Sequence, residues 1–69
     1  MEKVFDTKFG NLTIRGAMLD INGTDLCDGI EFSFDGEFVG ETTSVTFSQV
    51  EDMDIEEIEE LVETYCDEV

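Results

Sequence analysis

Carboxylates are the chemistry this chain offers. It holds nineteen Asp and Glu residues, two cysteines, one tyrosine, no histidine and three basic residues, Lys3, Lys8 and Arg15. Without histidine there is no Ser-His or Cys-His nucleophilic pair, and no imidazole to complete a zinc site. Cys66 stands between Tyr65 and Asp67 with no cationic neighbour to lower its pKa, and Cys27 belongs to no CxxC pair, so both read as reduced thiols used in packing. Paired carboxylates do acid/base work only in a cleft that shifts their pKa values, and a chain of this size has little interior for one. Phosphate-loop glycine patterns are missing too. The expectation is a non-enzymatic protein without cofactor or metal, whose carboxylates serve binding.

One acidic segment has partial calcium-loop spacing. Counted from Asp20, the oxygen-bearing Asn22, Thr24, Asp28 and Glu31 fall at loop positions 3, 5, 9 and 12. The sixth position is Asp25 where the sharp turn needs glycine, and the flanks alternate like strands. An Asx-rich turn is the expected reading.

The carboxylates are unevenly placed along the chain. After Arg15 there is no Lys, Arg or His, while Cys27 to Val69 carries fifteen of the acids, so most of the net charge of -16 lies there. The densest group is Glu56, Glu57, Glu59, Glu60 and Glu63. On a helix these five span roughly 10–11 Å of axis, or about one charge per 2 Å, against about one per 1.7 Å for duplex DNA. Glu56 with Glu60, and Glu59 with Glu63, are like-charge pairs four residues apart, each destabilising by roughly 0.2–0.5 kcal/mol with no basic residue nearby in sequence. Asp67 and Glu68 add negative charge at the helix C-terminus, where the macrodipole favours cations. Ordinary surfaces mix both signs.

This pattern points to a basic partner. The surface is expected to imitate a nucleic-acid backbone and occupy the Lys/Arg groove of a nucleic-acid-binding protein, itself contacting neither nucleic acid nor membrane. Glu31, Glu37 and Glu41, with Asp35, are expected to extend the field from the exposed strand faces. The competing reading is an interaction or homodimerisation module that uses an apolar strand edge, or Phe38 and Val39, with the acids serving solubility alone.

To present these groups the chain must fold, and its six Phe and 41% hydrophobic content separate it from a disordered acidic tail. Sixty-nine residues make a single domain over 1–69. Alternation and turn signals place strands over about 3–47. Val4 to Phe9 leads to a tight turn at Gly10-Asn11, and Leu12 to Ile21 returns with Leu12, Ile14 and Met18 on one face and a bulge or close approach at Gly16-Ala17. Asn22 to Asp25 is a turn. Ile30, Phe32 and Phe34 then alternate with Glu31, Ser33 and Asp35, and Asp35-Gly36 reads as a type I′ turn into a strand from Glu37 to about Phe47, with Gly40 as a break.

From Ile55 the period changes. Ile55, Ile58, Leu61, Val62 and Tyr65 recur at helical spacing over about 54–66, with Asp54 as N-cap in preference to an earlier start at Ser48 with Glu51. The expected fold is α+β: an antiparallel meander of four to five strands with one C-terminal helix packed on one face. The segment MEKVFDTKFG lacks a signal-peptide core, and no run reaches the ~20 apolar residues of a membrane span. A cytoplasmic monomer or homodimer is expected.

In its size, acidity, strand-rich first half and helix IEEIEELVETYCDEV, the chain resembles the small phage and mobile-element proteins that inhibit bacterial defence nucleases, notably the acidic anti-CRISPR proteins that act as DNA mimics. The likeness covers the whole chain and is one of kind. It implies a non-enzymatic inhibitor that blocks the site where a CRISPR effector holds target DNA.

Overall fold

Alternating apolar residues in the first half form four strands, β1 (Glu2–Thr7), β2 (Gly10–Asp20), β3 (Leu26–Phe34) and β4 (Glu37–Thr42). They make one antiparallel sheet in the order β1-β2-β3-β4. Two helices follow, α1 (Phe47–Glu51) and α2 (Ile55–Tyr65), both laid on the same sheet face, which gives the expected α+β meander. The computed structural model describes residues 1–20, 23 and 25–66. The expected turn at 22–25 lies mostly outside these residues, as do Asp67 and Glu68.

The core follows from strand parity and helix spacing. Leu12 and Ile14 from β2 and Ile30 and Phe32 from β3 point to one face. Phe47 and Val50 of α1 and Ile58 and Val62 of α2 close over them, and all but Phe47 have no exposed surface. Each such side chain contributes roughly 1.5–3 kcal/mol on burial. Leu61 and Tyr65 are half-buried at the margin, and Ile55 stays 41% exposed.

The first turn corrects the expectation at Gly10-Asn11. It is built on Lys8 and Phe9, with Thr7 opposite Gly10 in the ladder. The Thr7 hydroxyl accepts from the Phe9 N–H at 3.1 Å and donates to the Gly10 carbonyl at 2.8 Å, so a threonine turn does what a glycine pair was expected to do. Gly10 is still needed, at φ +122°. The second turn is as expected: Asp35 and Gly36 have φ of 52° and 82°, the two positive values that a type I′ hairpin needs.

The fourth strand is shorter than expected and a helix takes its end. β4 stops at Thr42, and Phe47, assigned to the strand from sequence, is the first residue of α1. Thr46 caps α1 in a reciprocal box: its hydroxyl accepts from the Gln49 N–H at 3.4 Å while Gln49 Oε1 accepts from the Thr46 N–H at 2.8 Å. The earlier helix start thus exists at Thr46 rather than Ser48, and beside the Asp54 start instead of in competition with it. At the second start Asp54 Oδ1 accepts from the Glu57 N–H at 3.1 Å.

Two glycines set the helix seats. Gly40 does not break β4. Phe32 faces Gly40 and Ser33 faces Phe38, so Val39 is the extra residue of a bulge. A methyl group at Gly40 would strike the Tyr65 carbonyl oxygen, because the end of α2 crosses β4 there and bridges it through Cys66. Gly16 is a close approach as expected, with space for a methyl group only 3.2 Å from Phe47 Cβ. Met18 keeps the face of Leu12 and Ile14 by register but is 55% exposed near the end of β2, where Leu19 is buried. One further expectation is corrected: Cys27 is exposed instead of packed, while Cys66 packs against the core.

Candidate acidic interface

The five helical glutamates fan around α2. Burial of Ile58 and Val62 fixes the inward direction. At roughly 100° per residue, Glu56 and Glu60 lie on the outer side, Glu63 and Glu57 flank them, and Glu59 lies nearest the sheet, an arc of roughly 160° in all. Glu56 and Glu60 are therefore the two that point most directly away from the sheet. Beside Glu60, the Thr64 hydroxyl donates to the Glu60 carbonyl at 2.9 Å, which keeps that hydroxyl out of competition for the carboxylates.

Lys8 changes the electrostatics of one flank. Its main-chain N–H donates to Glu59 Oε2 at 2.7 Å, and its Nζ lies 3.6 Å from Glu63 Oε1 and 5.2 Å from the Phe9 ring centroid. The Glu59 and Glu63 pair, expected to repel without relief, therefore has a counterion. It comes from 51 residues earlier for the Glu59 bond, through a turn whose position the sequence reading misplaced, so a search for neighbours along the chain could not find it. Glu56, Glu57 and Glu60 stay exposed. Among the described residues the ion pairs are Lys8 with Glu63 and Arg15 with Glu31. The third cation, Lys3, sits 5.3 Å from the Phe5 ring centroid.

The strand acids belong to another surface. Glu2, Arg15, Glu31 and Glu41 stand opposite one another across β1 to β4. They alternate with the buried Ile14, Ile30 and Phe32, so they point away from the helices. Arg15 Nη2 is 2.7 Å from Glu31 Oε1; that hydrogen bond and the Glu31 charge raise the guanidinium pKa above its ordinary value, with burial opposing and Glu2 adding a little. Val4, Thr13, Ser33 and Phe38 form the next row, with Val4 60% and Phe38 55% exposed. Glu37 is exposed opposite Phe34, beside the Asp35-Gly36 turn.

The structure thus brings Glu56, Glu57, Glu59, Glu60 and Glu63 together on α2 and sets Glu31 and Glu41 on the opposite side of the sheet. They do not form one continuous field. The Arg15–Glu31 pair was missed in sequence, although a signal existed: Arg15 has the outward parity beside Ile14 that Glu31 has beside Ile30. No group of three or more Cys, Asp or Glu among the described residues is placed to hold a metal ion, and no helix there is long and apolar enough to cross a membrane. No protein-family model, characterised protein or solved structure matches the chain.

Proposed function

We propose that the chain is a non-enzymatic blocking protein of the cytoplasm, in which the outer face of α2 occupies the Lys/Arg groove of a protein that binds DNA or RNA. The supporting observation is how the cations are placed. Arg15 is engaged by Glu31 on the far side of the sheet, Lys8 by the inner flank of α2, and residues 47–66 carry eight acids and no basic residue. Glu56 and Glu60, with Glu57 beside them, are left as carboxylates ready to pair with arginine and lysine, while Glu63 already faces Lys8. Such pairs steer association and fix register. A CRISPR effector is the narrower partner that the resemblance of kind suggests. The test is capture from a host lysate with and without competing duplex DNA or host RNA. Release of a nucleic-acid-binding protein by either competitor supports the proposal, and capture indifferent to both overturns it.

A further inference from the structure

The sheet has two edges, and they differ. β4 is interrupted by the Val39 bulge and crossed at Gly40 by the end of α2. β1 is regular over Glu2–Thr7, pairs with β2 without a bulge and, among the described residues, has no strand on its other side. An unpaired regular edge is a template for another strand.

Parity decides which groups that edge offers. The Gly16 N–H donates to the Met1 carbonyl at 2.9 Å, so odd-numbered residues turn their main chain toward β2 and Glu2, Val4 and Asp6 turn theirs outward. The side chains of these same three residues lie on the open face of the sheet, in the order acid, apolar, acid. A second copy is a poor occupant. In the fully overlapped antiparallel register, Val4 meets Val4 and Glu2 meets Asp6 twice, and like charges directly opposite are destabilising.

We propose that the outer edge of β1 docks an extended segment of a partner protein with basic residues on either side of an apolar one, at every second position. Main-chain hydrogen bonds to Glu2, Val4 and Asp6 hold the strand, its two basic side chains lie beside Glu2 and Asp6, and its apolar residue covers Val4. This surface is distinct from the α2 face, so either assignment can fail alone.

The probe is the capped peptide Thr-Lys-Thr-Val-Thr-Lys-Thr, followed by amide NMR and hydrogen exchange. Expected are shifts and new exchange protection at the Val4 and Asp6 amides. N-methylation of the peptide valine should weaken binding about tenfold, because it removes a ladder hydrogen bond. The double variant Glu2→Gln/Asp6→Gln should lose the preference for this peptide over its scrambled form, while Glu56→Gln/Glu60→Gln should bind as the parent does. Shifts centred on α2, equal binding of the scrambled or N-methylated peptide, or protection of the β1 amides by self-association would overturn the proposal.

Discussion

The Lys8 main-chain N–H donates to Glu59 Oε2 at 2.7 Å, so the β1–β2 turn is fastened to the middle of α2. One glutamate of the charged run therefore has a structural partner, and its neighbours on the outer face do not share it. The difference makes the five positions distinguishable by mutation.

Removing that acceptor should cost stability. Glu59→Ala leaves a solvent-accessible N–H, so the loss is at the low end for a hydrogen bond, about 0.5–1 kcal/mol, partly offset by relief of repulsion with Glu63 of roughly 0.2–0.5 kcal/mol. Glu59→Gln keeps an oxygen in place and should be neutral or slightly stabilising. Urea denaturation of the two variants measures the order, and equal destabilisation by both would show that the bond contributes nothing.

On the outer face two effects nearly cancel. Glu56→Gln/Glu60→Gln relieves a like-charge pair worth roughly 0.2–0.5 kcal/mol but withdraws a first-turn carboxylate that the α2 dipole favours by about 0.3–1 kcal/mol, so stability should change by less than about 1 kcal/mol while partner binding weakens. A thermal scan together with the capture assay separates stability from binding. A larger loss of stability would mean these side chains support the fold.

Gly40→Ala should be the more damaging of two glycine substitutions. The added methyl meets the fixed Tyr65 carbonyl, whereas at Gly16 it meets the Phe47 side chain at 3.2 Å, which can give way. Overpacking of this kind costs about 1–3 kcal/mol, and at Gly40 it should also lift the end of α2 from β4. Loss of the NMR proximity contacts between residue 40 and Cys66, which face each other across the bridge, reads that release directly. An equal loss for the two variants would contradict the assigned seat.

Much of this fold was legible in the sequence, for reasons that are local. Ile30, Phe32 and Phe34 alternate with polar residues, and Asp35-Gly36 is one of the few dipeptides that a type I′ turn accepts cheaply, so strand, face and turn follow from a few residues. Asp54 before an apolar stripe gave α2. What was missed depends on contacts between distant segments. The Thr7 turn was hidden by the more obvious Gly10-Asn11, and that one misplacement concealed the approach of Lys8 to Glu59 and Glu63. Thr46 looked like a strand residue because β4 is rich in Thr and Val, yet its box with Gln49 begins α1. The helical acids were found as a group; that Glu31 and Glu41 face the other way required the register of β2, β3 and β4.

Salt should stabilise the free protein. With a net charge of -16 the compact state repels itself. Raising NaCl from about 50 to about 500 mM shortens the screening length well below the protein's dimensions, so the melting temperature should rise. A fall across that range would indicate that the ion pairs of Lys8 and Arg15 outweigh the repulsion.

Binding through charge at the outer face of α2, as proposed, is read from the affinity of the captured partner as a function of salt, for the parent chain and for Glu56→Gln/Glu57→Gln/Glu60→Gln, which leaves the Lys8 contacts in place. Expected are a steep loss of affinity with rising ionic strength for the parent, and for the variant both weaker binding at low salt and a shallower slope. Affinity that holds or tightens with salt, with the variant equal to the parent, would mark an apolar interface and contradict it.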